Sequence, residues 1–191
     1  MPSWMQSLQA IWQKRPYPEP PIRVAILGVG HELRGDDAVG IAVVRQMNCA
    51  NGVEADARSL LQSDAASLLL LEGAHAPENC TGSLRRFAPH LVLLVDAAWL
   101  GEPPGTVRVI PWQETSGLSA TTHTLPLHML AQYLVAEIGC EVVLLGIQPV
   151  QLELGQPMST AVAAAAAEVA AYLPSLFMAH PHPAPAALPC A

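Results

Sequence analysis

An α/β/α sandwich around a mostly parallel, roughly five-stranded sheet is the fold that this sequence predicts, and three observations predict it. Apolar runs of strand length alternate with segments of helical periodicity. The runs carry almost no polar interruption, as in strands covered on both faces. A Gly-x-Gly turn follows the first run and leads into a helical segment, the arrangement of a strand-turn-helix unit.

Taken in order, residues 3–13 place Trp4, Met5, Leu8, Ile11 and Trp12 at helical spacing and predict a short amphipathic helix. Packing on the domain surface is its first use, with a dimer or partner contact as the alternative. The proline-rich stretch 16–21 ends it. The first strand is 22–27, "IRVAIL", and apolar positions 39, 41, 43, 44 and 47 predict a helix over 37–47. "SLLLLE", 67–72, is read as the second strand. Residues 53–57 are an alternative for it, with 55–66 an extra helix or an excursion. A short helix is expected at 81–87 and an apolar strand at 91–95, with Asp96 at its end. "GEPPG" forces a turn before 106–111, which Pro111 stops, so that run is an edge strand. Residues 125–138 are amphipathic with Pro126 in the first turn, "EVVLLGIQP" supplies the last strand, and 158–178 form an alanine-rich closing helix. The chain thus divides into an N-terminal extension, 1–20, a single α/β domain, 21–178, and a Pro/Ala-rich tail, 179–191, expected to be disordered. No internal repeat is visible.

A chain of 191 residues, 51% of them hydrophobic, is long enough for one full core. Its net charge of -7 and the lack of a basic run argue against nucleic acid or an anionic membrane as partners. The N-terminus lacks the apolar stretch of a signal peptide, so a cytoplasmic setting without membrane insertion is expected. Cys49, Cys80, Cys140 and Cys190 form no C-x-x-C pair and read as buried or incidental thiols.

The chemistry gathers beyond the carboxyl ends of the strands, where such sheets place their crevice. "GVGHELRGDDAVG", 28–40, sets Asp36 and Asp37 where a phosphate would otherwise sit, and a carboxylate pair repels a pyrophosphate. A dinucleotide site is therefore disfavoured, and the third glycine of that fingerprint is missing as well. Asp36 suits a helix N-cap. Asp37 has helix-dipole stabilisation as its ordinary explanation. Asp96, after five apolar residues, requires a cation or several donors. His123 precedes the helix at 125 and reaches the same edge. Asp37, Asp96 and His123 make an O,O,N set suited to zinc or nickel, and no H-E-x-x-H helix is present.

Together with "HAPENCTG" (75–82), "LVDAA" (residues 94–98), "TTHTLPL" (121–127) and "LGIQP" (145–149), the opening motif resembles the NiFe-hydrogenase maturation endopeptidases, and most closely their formate-hydrogenlyase-type branch. The resemblance implies a cytoplasmic, aspartic-type endopeptidase of α/β/α fold that removes a C-terminal peptide from the hydrogenase large-subunit precursor after nickel insertion. It assigns Asp37, Asp96 and His123 to metal contact and catalysis. Nickel is expected to arrive in the substrate, with zinc or cadmium as substitutes in vitro, and the protein is expected to be a monomer or weak homodimer. His31 stands where the family usually has asparagine, and Ala38 where glycine is frequent. Two other functions are carried alongside: a nickel-sensing chaperone that does not cut, and a general peptidase related to spore-germination proteases. Glu78 and Asn79 are read as helix caps or precursor contacts, and Gln148 as a rim residue.

Overall fold

A computed structural model describes residues 1–14, 21–53, 58–114 and 126–178. Six strands form one sheet in the order β2-β3-β1-β4-β6-β5. The four inner strands, β1 (Ile22–Val29), β3 (Ala66–Ala74), β4 (Leu91–Ala97) and β6 (Glu141–Ile147), are mutually parallel. The edges β2 (Arg58–Gln62) and β5 (Val107–Pro111) run antiparallel to their neighbours. Side chains along the inner strands alternate between two cores. Val24, Ile26, Leu68, Leu70, Leu93 and Val95 face one, while Ala25, Leu27, Leu69, Leu71, Val92 and Leu94 face the other. Helices α1 (Ser3–Lys14), α2 (Val39–Ala50) and α5 (Thr160–Met178) cover the first face, and α3 (Thr81–Phe87) and α4 (Leu127–Ile138) the second. The three layers are those expected.

The sixth strand is the main departure. β2 occupies residues for which an extra helix or excursion was expected, and the alternative strand at 53–57 falls largely outside the described residues. Its inward positions are Ser59 and Leu61 while Leu60 faces out, so hydropathy does not alternate along it. Ser59 is tolerated inside because its hydroxyl donates to Asn48 Oδ1 of α2.

Helix α1 is a core element rather than a loose extension. Trp4, Leu8 and Trp12 line its inner face, and Trp12 is 1% exposed. Trp4 meets Tyr172 edge-on at 5.2 Å, Trp12 meets Phe177 at 5.0 Å, and the Tyr172 hydroxyl donates to the Met5 carbonyl. Replacing Trp12 with alanine is expected to cost about 3–5 kcal/mol, read as a lowered urea midpoint. A loss below about 1 kcal/mol would mean that α1 is not integral to the fold. Helix α5 is long and apolar enough to cross a membrane by length and composition alone. Here Val162, Ala166, Val169, Leu173 and Phe177 are spent on the core. The 179–191 tail lies outside the described residues.

The chain runs from β1 out to the edge strand β2, turns back into β3, and then crosses β1 to β4, so strand order reverses between β1 and β4. A crevice opens at the carboxyl end of that pair.

Candidate functional site

Two glycines let the loop after β1 close over this crevice. Gly40 lies so near the strand ends that an added Cβ would stand 2.1 Å from the Val95 carbonyl oxygen and 2.4 Å from that of Val29. Helix α2 therefore starts directly on top of β1 and β4. Gly30 has φ +126°, and a Cβ there would lie 1.7 Å from the Asp37 carbonyl oxygen. Between them a 3-10 turn, Gly35–Ala38, carries both aspartates into the interior.

Asp36 and Asp37, adjacent in sequence, have opposite surroundings. The Asp36 carboxylate accepts from the backbone N–H groups of Val150 (2.8 Å), Gln151 (3.1 Å) and Ser159 (2.6 Å) and from the Ser159 hydroxyl (3.0 Å). It caps neither the 3-10 turn nor α2, contrary to the expected N-cap role. Its donors belong instead to the segment after β6, and Ser159 in turn accepts from Val162 N–H at the start of α5. Asp36 is a structural brace between distant segments.

Asp37 is wholly buried, and among the described residues neither carboxylate oxygen has a hydrogen-bond partner. Burial pushes its carboxyl above the usual range. The nearby His31 backbone amide, the Arg34 guanidinium and, in its protonated form, the His31 ring oppose that shift. Asp96, 2% exposed at the end of β4, accepts among the described residues only from the Ala97 N–H, at 2.9 Å. Burial first, and the nearby Asp37 charge second, push its carboxyl up to about 8, against the pull of the Ala97 amide. The structure thus brings Asp37 and Asp96 together as expected. His123 lies outside the described residues, four positions before α4 begins at Leu127.

Two buried like-charged carboxyls, one with both oxygens unbonded, can be held only by retaining protons or by receiving a cation. Their oxygens fit a divalent metal ion that brings further ligands with it. Among the described residues no three His, Cys, Asp or Glu side chains converge into a complete metal site.

Other rim residues resolve differently. Gln148 is buried and fully engaged: its Oε1 accepts from Leu100 N–H at 2.7 Å and its amide donates to the Pro149 carbonyl. It shapes the loop after β4 and is not free for substrate. Glu78 and Asn79 are exposed, and no side chain caps α3. Cys49, Cys80 and Cys140 are free thiols, and burial raises Cys140 to about 11, which leaves it inert. Sequence reasoning missed the clamp made by Arg45, which donates to both oxygens of Glu72 and to Glu32. The packing of α2 across the paired strands β1 and β3, which sets Gly28 beside Glu72, brings these residues within reach.

The family model for the HycI hydrogenase maturation protease matches residues 55–174, a span that includes Asp96 and His123 and begins after Asp37. A putative hydrogenase maturation protease of Methanocaldococcus jannaschii is 35% identical over 127 residues, covering 66% of this chain and 72% of the relative. Hydrogenase 3 maturation protease of Escherichia coli K12 is 32% identical over 135 residues, covering 70% of this chain and 78% of the relative. Among solved structures, the NiFe hydrogenase maturation protease HycI of Thermococcus kodakarensis superposes with a TM-score of 0.71 at 27% identity, over 90% of this chain and 98% of that one.

Proposed function

This chain belongs to the hydrogenase maturation protease family, and on that premise we propose that it is the endopeptidase that removes the C-terminal extension of a NiFe-hydrogenase large-subunit precursor once nickel has been inserted. The observation that carries the nickel requirement is the Asp37 carboxylate, buried with both oxygens unbonded beside Asp96. Such a pair is stabilised when a substrate delivers a cation to it, and a precursor without metal offers no such gain.

In this reading Asp37, Asp96 and His123 contact nickel already held by the precursor, and the protein needs no metal of its own at rest. The substrate's nickel supplies positive charge that fixes the scissile region and polarises its carbonyl. Asp96, protonated up to about pH 8 in the free protein, releases its proton as the cation approaches. The two carboxyls then take a proton from the attacking water and return one to the leaving amine. The setting is cytoplasmic.

The test is a cleavage assay on the cognate large-subunit precursor with and without inserted nickel, read by the mass of its C-terminus. Loss of a C-terminal peptide from the nickel-loaded form alone, abolished by His123→Ala in a folded variant, is the expected result. Cleavage indifferent to nickel would replace this reading with an ordinary peptidase. Binding with no change in mass would replace it with a chaperone.

A further inference from the structure

His31 follows Gly30 in the loop that closes over the acid pair, and three features fix how its ring is presented. Leu33 N–H donates to His31 Nδ1 at 3.2 Å, which places the proton of the neutral ring on Nε2. A ring in that state offers a donor at Nε2, not the lone pair that a metal would need. The ring also lies against that of His75, with centroids 5.7 Å apart and planes tilted by 38°. Finally, the Arg45 guanidinium bonds Glu32, next to His31, and Glu72, three residues before His75. One cation therefore ties the loop that carries His31 to the end of β3, just before His75. The Arg45–Glu32 contact is half-exposed while Glu72 is largely covered, so the clamp holds the His31 loop against the strand.

The Nε2–H is also unspent. Among the described residues it donates to no protein group, and both Asp37 oxygens lack a partner, so the ring is not bonded to the acid beside it. The ring is partly exposed and follows Gly30 in the loop that closes over the two buried acids, so its donor is available to a polypeptide laid across them.

We propose that His31 donates a hydrogen bond through Nε2–H to a backbone carbonyl oxygen of the precursor segment that lies over Asp37 and Asp96. The inference rests on the processing reading above and adds a substrate-contacting residue to it. His75 and the Arg45 clamp act as positioning groups for this ring.

Two measurements test it. In the free, full-length protein, nitrogen-15 NMR of the His31 ring is expected to show an unprotonated Nδ1 and a protonated Nε2 at neutral pH. The reverse tautomer would overturn the proposal without reference to any substrate. In the precursor cleavage assay, His31→Ala is expected to lower kcat/KM roughly tenfold or more with an unchanged thermal midpoint. His31→Asn, which restores an N–H donor, is expected to return to within about threefold of wild type. Wild-type rates in His31→Ala, or an asparagine variant as slow as the alanine one, would overturn the proposal while leaving the processing reading intact. Failure of the wild-type protein to shorten the nickel-loaded precursor would instead sink the processing reading, and this proposal with it.

Discussion

Asp96→Asn is expected to lower precursor processing on the order of a thousandfold while leaving a folded protein. The amide keeps the size of the carboxyl and can still accept from Ala97 N–H, so the end of β4 is preserved. It can neither meet a cation with charge nor exchange a proton. A second readout separates this effect from misfolding. In the unfolded chain this carboxyl ionises near its ordinary pKa, about 4, whereas in the folded chain it stays protonated up to about 8. Between those values the folded state binds the extra proton, so wild-type stability falls as pH rises from about 4 to about 8 and levels off above. Thermal midpoints of Asp96→Asn should show a shallower decline over that window, and the variant should be the more stable protein at pH 8. Processing that survives in Asp96→Asn would remove this residue from the chemistry.

The largest stability loss at the crevice should come from its silent neighbour. Asp36→Ala deletes the acceptor of four hydrogen bonds and leaves the N–H groups of Val150, Gln151 and Ser159 without it. A fully buried unsatisfied donor costs about 1–3 kcal/mol, and these N–H groups are part-buried, so a loss of roughly 2 kcal/mol or more is expected in urea unfolding. Asp36→Asn should fall between, since one oxygen still accepts while the new N–H₂ faces other donors. A loss below about 1 kcal/mol for the alanine variant would show that water replaces the carboxylate readily. The two substitutions dissect adjacent-strand chemistry cleanly: one disables the site and spares the fold, the other loosens the fold around the site.

Legibility in the sequence followed burial. Strands β1, β3, β4 and β6 are hidden on both faces, so they are continuous apolar runs that hydropathy alone locates. The edge strand β2 has one inward serine and one outward leucine, and its identity depends on pairing with β3, which no local pattern encodes. Asp37 and Asp96 were legible because acids beside apolar strand ends need a reason to be there, and the strand order reversal brings them together. The role of Asp36 was not, because its partners lie more than a hundred residues away and Asp-Asp before a helix looks like a cap. His31 stood out as a residue type, but the tautomer depends on a single backbone N–H, and that is a matter of loop conformation.

The packing of α1 on α5 bears on how the chain is made. Tyr172 of α5 bonds Met5 of α1 across 167 positions, and Trp4 and Trp12 meet the rings of Tyr172 and Phe177 there. During synthesis α1 emerges well before α5, so the contacts of its tryptophans with Tyr172 and Phe177 form only once α5 has been made. At roughly 5–20 residues per second that interval lasts on the order of ten seconds or more. Completion of this part of the core is therefore a late, long-range step set by sequence separation as much as by local propensity.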